Sequence, residues 1–503
     1  MSKQTLRHME IFQCERDYVK HIKCVSCCSC GRINAQGRDM RPHVTLVNPP
    51  YPSGAHQHPP FTPLGLGYLA AVLEKNQYEV DVIDCQALNI SFEEVKSEIS
   101  KRQPDVVGLT STTLTYKSAL RIIKIVKEVC PSCLTLLGGC HVTFWDDKAL
   151  QECPHLDVVV RKEGENTLLE LVQNLEAGKS FRNVLGITYR KNGKIVKNAD
   201  RPYIEDLDSL PFPAHHLWPL ERLRKYGNVM FPLTTSRGCI FWCEFCSAVR
   251  MFGRRFRMRS PKNVVDELEY LHNTYGADNF TFYDDAFTVD QSRVEEICRE
   301  IHNRKLKITW DCGTRVDMVT KDLLLKMREA GCIAVWFGVE AGSQRIIDAM
   351  GKGFTSNKTK KAFKLAKEAG LMTIASVVFG FPGETRETAL ETIKFIEEIN
   401  PDDVGYYIAT PYPGTPMADY VKKMGWLRVT DFDKYDTATP IFELPTLSMQ
   451  ELREIREKAF HRFYLRPTYI LRMFAKGGTY GFSATKTALA HLLRAIKSKL
   501  KRL

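Results

Sequence analysis

The residues best placed to do chemistry are three cysteines in one stretch, Arg237-Gly238-Cys239-Ile240-Phe241-Trp242-Cys243-Glu244-Phe245-Cys246. The spacing C-x3-C-x2-C lets one compact loop turn three thiolates toward a common body. Four thiolates complete the coordination of an iron–sulfur cube, so three leave one iron open to an outside ligand. The alternatives are a zinc loop or three unrelated loop cysteines. A structural zinc ion takes four Cys or His ligands, and the 22 residues after Cys246 contain neither. A second group, Cys14, Cys24, Cys27, Cys28 and Cys30, precedes the first strand-like segment. Cys24–Cys30 is too tight for four ligands on one tetrahedral ion, although Cys14 could join. An auxiliary cluster, a zinc ion and no metal all stay open there. Met40-Arg41-Pro42-His43 also reads as a start, with residues 1–39 as an upstream extension. No Ser-His-Asp or paired-carboxylate arrangement stands out.

The three-cysteine loop needs a scaffold, and the hydrophobic pattern supplies one on each side of a proline-rich segment. From His43 onward, strand patterns (Val44–Val47, Tyr78–Cys85, Val106–Thr110, Leu134–Leu137, Leu156–Val160) alternate with helix patterns (Leu64–Lys75, Phe92–Arg102, Tyr116–Val129, Thr167–Leu175). Five strands alternating with helices predict a doubly wound parallel sheet. A hairpin follows, Gly186–Arg190 and Lys194–Val196 about Asn192-Gly193. Arg201–Pro219 reads as a linker. Six strands then alternate with helices: Val229–Thr235, Asn279–Tyr283, Ile308–Cys312, Ile333–Gly338, Thr373–Phe379 and Val404–Thr410. The helices between them are Val264–Asn273, Val294–Asn303, Lys321–Ala330, Thr355–Ala369 and Arg386–Ile399. This predicts a parallel barrel, partial or full, with its chemistry at the C-terminal strand ends. The expected division is 1–42 as an extension, 43–200 as the first domain and 201–228 as the linker. The barrel takes 229–420, and 421–503 forms a mainly helical basic region.

The loop, with Phe245 before its last cysteine, is similar to that of the radical S-adenosylmethionine (SAM) enzymes. The resemblance continues at successive strand ends: Tyr283-Asp284-Asp285, Gly338-Val339-Glu340-Ala341-Gly342-Ser343, Gly380-Phe381-Pro382-Gly383-Glu384 and Pro411-Tyr412-Pro413-Gly414-Thr415-Pro416. It implies a [4Fe–4S] cluster on Cys239, Cys243 and Cys246, the catalytic and metal-binding residues. It also implies S-adenosyl-L-methionine beside Phe245. Asp284 and Asp285 would lie near the methionine amino group, and Glu340 and Ser343 near the ribose and carboxylate. Gly380 and Gly383 would lie near the adenine. The first domain resembles the cobalamin-binding domain of one subgroup. Its marks are Val47-Asn48-Pro49-Pro50, Gly108-Leu109-Thr110-Ser111-Thr112, Gly138-Gly139-Cys140-His141-Val142-Thr143 and Arg161-Lys162-Glu163-Gly164-Glu165. The implied cobalamin-binding residues are Thr110, Ser111, Gly138, Gly139, His141 and Glu163. The sequence lacks Asp-x-His-x-x-Gly, and His56 and His58 sit among prolines. Cobalamin is therefore expected to bind without a histidine on cobalt. The implied fold is α/β: a flavodoxin-like doubly wound domain, a (β/α)6 partial TIM-type barrel and a helical tail.

Composition bounds the partners. The 503 residues are 44% apolar and 26% charged, which excludes a disordered or fibrous chain. No run of about 18 apolar residues occurs, and Met-Ser-Lys-Gln opens no signal peptide. With 16 cysteines, this predicts a cytoplasmic, reduced protein. Cys85, Cys130, Cys133, Cys153, Cys298, Cys312 and Cys332 lie in or beside apolar segments and are expected to pack the core. The formal charge of +12 is local, since residues 451–503 hold 13 Lys and Arg against 3 acidic residues. Leu489, Leu492, Leu493, Ile496, Leu500 and Leu503 share one helical face flanked by Lys486, Arg494, Lys497, Lys499 and Lys501. Such a helix fits peripheral contact with an anionic membrane, or packing on the barrel with a solvated basic face. Arg250, Arg254, Arg255, Arg257 and Arg259 are read as a solvated or substrate-facing loop, not a nucleic-acid patch. The expected activity is reductive cleavage of SAM for methylation at an unactivated carbon of a small molecule, a lipid or other hydrophobic compound. The electron donor would be a ferredoxin or flavodoxin. Ring formation, RNA methylthiolation and a non-catalytic cobalamin or redox sensor are the ranked alternatives.

Overall fold

The computed structural model describes residues 41–54, 62–220, 230–467, 469 and 470. The N-terminal cysteines, His56, His58 and the basic helix beyond residue 480 lie outside them. The chain forms two compact units, one containing Gly65–Tyr203 and Pro211–Trp218, the other Ile204–Leu210 and the described chain from Pro219 onward.

The first unit is built on β1 (Val44–Asn48), β2 (Val80–Asp84), β3 (Val106–Thr110), β4 (Leu134–Gly138), β5 (Val158–Val160), β6 (Ile187–Lys191) and β7 (Lys194–Lys197), in the order β2-β1-β3-β4-β5-β6-β7. The first five are parallel. All of β1 and β5 is buried, as expected where helices cover both faces of a parallel sheet. Those helices are α1 (Leu64–Lys75), α2 (Phe92–Arg102), α3 (Tyr116–Val129) and α4 (Glu165–Glu176). A capping box fixes the start of α2: Ser91 accepts from the Glu94 amide and Glu94 accepts from the Ser91 amide. The hairpin of β6 and β7 turns through Asn192 and Gly193, both at positive φ. It joins the same sheet antiparallel to β5, so the first sheet has seven strands, because the exposed edge of β5 would otherwise lack a partner. Pro211–Trp218 runs back over this unit, where Trp218 Nε1 donates to the buried Asp84 carboxylate at 3.1 Å.

The second unit has six parallel strands in sequential order: β8 (Phe231–Leu233), β9 (Asn279–Phe282), β10 (Thr309–Thr314), β11 (Cys332–Glu340), β12 (Met372–Phe379) and β13 (Asp403–Ile408). The connecting helices are α5 (Pro261–Tyr275), α6 (Gln291–Asn303), α7 (Lys321–Glu329), α8 (Ser356–Glu368) and α9 (Arg386–Ile399). Helix-facing aromatics form the core between layers: Phe282 stacks on Phe287 at 4.8 Å, and Trp310 meets Phe282 at 5.1 Å. The seven cysteines assigned to the core are all buried. After β13 come α10 (Pro416–Lys423) and α11 (Met449–Tyr464). The latter covers the last strand, with Tyr464 Oη donating to Asp403 at 2.6 Å and Arg456 Nε to the Tyr406 carbonyl at 2.8 Å. Among the described residues no helix is long and apolar enough to cross a membrane.

Candidate active site

The cysteine loop leaves β8 through a pinned segment. Asp284, just beyond β9, accepts from the Thr235 amide at 2.6 Å, from the Thr235 hydroxyl and from Ser236 Oγ at 2.8 Å. Ser236–Arg237 then pairs antiparallel with Arg257–Met258. Gly238 has φ +89°, and a Cβ there would strike the Arg255 carbonyl, so glycine is required. Sequence reading placed Arg257 and Arg259 in a solvated or substrate-facing loop; both are buried. Arg259 Nη1 bonds the Thr234 carbonyl at 3.1 Å and pairs with the buried Glu267. Arg257 Nη2 bonds the Phe252 carbonyl at 2.9 Å. Arg293 donates to the Thr235 and Arg259 carbonyls at 2.7 and 3.0 Å. These guanidiniums are engaged by backbone carbonyls at the base of the loop. Arg254 and Arg255 remain exposed.

Within the loop, the Cys246 amide donates to the Cys243 carbonyl at 3.1 Å and the Ala248 amide to Cys246 Sγ at 3.4 Å. The Glu244 amide bonds the Met350 carbonyl at 3.1 Å, and the Met417 amide bonds the Glu244 carbonyl at 3.0 Å. The loop is thus held by the turn at Met350 and Gly351, between β11 and α8, and by the start of α10. Cys239 feels the charge of Cys243, and Cys246 that of Cys243 and Cys239. Burial raises Cys239 and pushes Cys246 up to about 12, while backbone amides and, at Cys239, Arg315 oppose it. Among the described residues no group of three or more His, Cys, Asp or Glu is placed to hold a metal ion as a compact site. Three half-buried soft donors, met by amides and a cation that favour the thiolate, fit an iron–sulfur cluster.

The other expected barrel residues lie on the same C-terminal rim. Asp284 commits both oxygens to Thr235 and Ser236, so it shapes the loop. Asp285 is exposed. The protein crowded around it, and secondarily Asp284, raises it to about 6, and its charge acts on Cys239 and Cys246. Glu340 has φ +63° and pairs with Lys352 Nζ at 2.9 Å. A Cβ on Gly338 would sit 2.6 Å from Glu340 Oε1, so this glycine lets the carboxylate fold back along its strand. Ser343 is buried, its carbonyl accepting the Ile346 and Ile347 amides. Phe245 meets Phe381 edge-on at 6.4 Å, and Lys352 Nζ lies 5.9 Å from its ring. The turn after β12 is stabilised by the Gly380 amide donating to the buried Glu384, which burial raises to about 8. Gly383, at φ +93°, has open space around it. The rim therefore brings together Phe245, Phe381, Lys352 and Glu340, with Asp285 beside the thiols. Sequence reading missed Lys352 and Arg315. The latter directly follows β10, the interior strand end whose residues carried no motif.

In the first unit, the loops after β3 and β4 are zipped together. The Ser111 amide and hydroxyl bond the Gly138 carbonyl at 2.9 and 3.1 Å, and the His141 amide bonds the Ser111 carbonyl at 3.3 Å. Gly139, at φ +102°, would place a Cβ 2.5 Å from the Ser111 oxygen. His141 is 1% exposed, with Nδ1 3.1 Å from Thr113 Oγ1 and its ring 4.3 Å from Tyr116. Burial pulls it down to about 3, so it backs the loop as a neutral ring. Ser111 and Glu163 are also buried. Thr110, Gly138 and Gly139 are half-buried and Thr112 is exposed. A rim of small residues at the strand ends of a doubly wound sheet fits a broad ligand such as cobalamin, and His141 offers it no outward-facing ring nitrogen.

Residues 55–172 match the family profile described as B12 binding domain, and residues 233–396 match that of the radical SAM superfamily. An uncharacterized methyltransferase of Pyrococcus horikoshii is 37% identical over 453 residues, covering 90% of this chain and 98% of that one. The anaerobic magnesium-protoporphyrin IX monomethyl ester cyclase of Rubrivivax gelatinosus is 34% identical, covering 91% and 82%. Among solved structures, the cobalamin-dependent S-adenosylmethionine radical enzyme OxsB, with aqua-cobalamin and S-adenosylmethionine bound, superposes with a TM-score of 0.71 at 20% identity, covering 90% of this chain and 72% of that one. With two matched domains and relatives aligned along most of their length, the chain belongs to the radical SAM enzymes that carry a B12-binding domain.

Proposed function

We propose that this protein is a methyltransferase that methylates an unactivated carbon of a hydrophobic small molecule. The observation that carries the reading is the pinned loop of Cys239, Cys243 and Cys246 beside Asp285, at the mouth of a barrel preceded by a B12-binding domain. When bound, the cluster and SAM supply a 5′-deoxyadenosyl radical and cobalamin supplies a transferable methyl group. The chain's own residues hold and orient. Cys239, Cys243 and Cys246 ligate the cluster, with Asp284, Arg259 and Arg293 fixing where their loop begins. Asp285 and the Glu340–Lys352 pair would bind the amino and carboxylate ends of SAM. Phe245, Phe381 and the glycine turn after β12 would pack against its adenine. Thr110, Thr112, Gly138 and Gly139 would face cobalamin.

Two aromatic side chains support a hydrophobic substrate. Phe337 packs outward on Phe363 at 5.1 Å, so its neighbour Trp336 points to the barrel interior, where it stays 38% exposed. Tyr283, opposite in sense to the core residue Phe282, is 49% exposed. Apolar rings left uncovered on an inner face suit an apolar guest. The electron donor would be a ferredoxin or flavodoxin.

A ring-forming reaction is the second reading, favoured by the 34% identity to the Rubrivivax cyclase. SAM carrying a deuterated methyl group separates the two. Methylation predicts a product heavier by one labelled methyl. A product formed without the label would contradict it and favour ring formation.

A further inference from the structure

We propose that Arg315 positions the cysteine loop and holds a fixed positive charge against the Cys243 sulfur, thereby setting how readily the bound cluster accepts an electron. The inference rests on the reading of Cys239, Cys243 and Cys246 as cluster ligands.

Arg315 follows the last residue of β10 and is buried, 6% exposed. Each side of its guanidinium is engaged. Nε and Nη2 pair with the two carboxylate oxygens of Asp317 at 2.9 and 3.0 Å, the fork geometry that arginine presents to a carboxylate. Nη2 also donates to the Lys352 carbonyl. The carbon of the fork lies 3.6 Å from the centre of the Phe241 ring. Nη1, the corner that Asp317 leaves unused, lies 3.9 Å from Cys243 Sγ. One side chain thus joins the end of β10, two residues of the cysteine loop and the turn that ends at Lys352, between β11 and α8.

That turn is independently fitted to the loop. A Cβ on Gly351 would sit 2.8 Å from the Trp242 carbonyl, and Lys352 carries the connection on to Glu340 at 2.9 Å. Position alone could be secured by neutral groups. What requires arginine is the combination of a planar face on Phe241, a bidentate edge on Asp317 and a remaining N–H directed at sulfur. Arginine keeps its charge under all ordinary conditions. Hydrogen bonds and positive charge at the sulfurs raise the reduction potential of a thiolate-held cluster. Asp317 opposes that effect while fixing the fork, so the two residues should act on the potential with opposite sign.

The test uses the full chain, reconstituted anaerobically with iron and sulfide, without SAM, so that no turnover is needed. Iron content and a redox titration followed by paramagnetic resonance are compared for wild type, R315Q, R315K and D317N. The expected results are wild-type iron in all four and an equilibrium constant for one-electron reduction about tenfold lower in R315Q, about 59 mV. R315K should recover about half of that loss, because it keeps the charge without the fork. D317N should shift the other way. Iron loss confined to R315Q would leave R315K and D317N to read the charge, and wild-type potentials in both would overturn the proposal. R315Q titrating with wild type, or R315Q and D317N shifting in the same direction, overturns the proposal. Failure of the wild type itself to take up iron would instead refute the reading of the loop.

Discussion

Cys239 and Cys246 sit where burial favours the neutral thiol, yet a ligand to iron must be a thiolate. The loop prepares for the charge before any metal arrives. An amide points at Cys246 Sγ, an arginine lies against Cys243 Sγ, and the loop's backbone is fixed from three directions. Binding of a cation then completes the deprotonation. Gly238 is the residue on which this preparation turns, because its positive φ and its contact with the Arg255 carbonyl leave no room for a side chain. Gly238→Ala should cost about 1–3 kcal/mol locally and lower reconstituted iron to under about half of the wild-type amount, read by metal analysis, with the far-ultraviolet circular dichroism retained. Full iron loading in that variant would show that the loop tolerates a different path.

At the scale of elements, the turn after β12 stores a titration that the whole barrel feels. Glu384 is buried beneath the Gly380 amide and lifted from 4.5 to about 8 by desolvation. The unfolded chain releases this proton near pH 4.5, whereas the folded chain keeps it until about pH 8. Folding therefore binds a proton through that window, and stability falls as pH rises across it, by up to about 1.4 kcal/mol per pH unit. Glu384→Gln should flatten the decline, measured as the midpoint of urea unfolding between those two pH values. An unchanged slope would place Glu384 outside the accounting. Elements were largely legible in the sequence: α1, α2, α3, α9 and β3 match their predicted spans, because amphipathic periods and buried apolar runs are local properties. The roles of the arginines after Cys246 were not legible. Arg254 and Arg257 look alike in sequence, and only the pairing of Ser236–Arg237 with Arg257–Met258 turns Arg257 inward. Asp284 and Asp285 were likewise one motif. Beyond the end of β9 the chain turns the first inward to clamp Thr235 and leaves the second exposed.

At the scale of the whole molecule, charge and chemistry are separated along the chain. The basic excess of residues 451–503 lies apart from the two matched domains. Each matched domain carries its own strand-end rim, built by glycines that bring backbone close and by a buried group that supports the loop from behind: His141 in one, Asp284 in the other. That arrangement makes sense for a chain that positions large cofactors and supplies little acid–base chemistry itself. The most direct test of the central claim is reductive formation of 5′-deoxyadenosine from SAM by the anaerobically reconstituted, cobalamin-loaded protein. A reductant-dependent product from wild type that is abolished in Cys243→Ala is the predicted result. No product from protein carrying its full complement of iron and cobalamin, or equal product from Cys243→Ala, would contradict it.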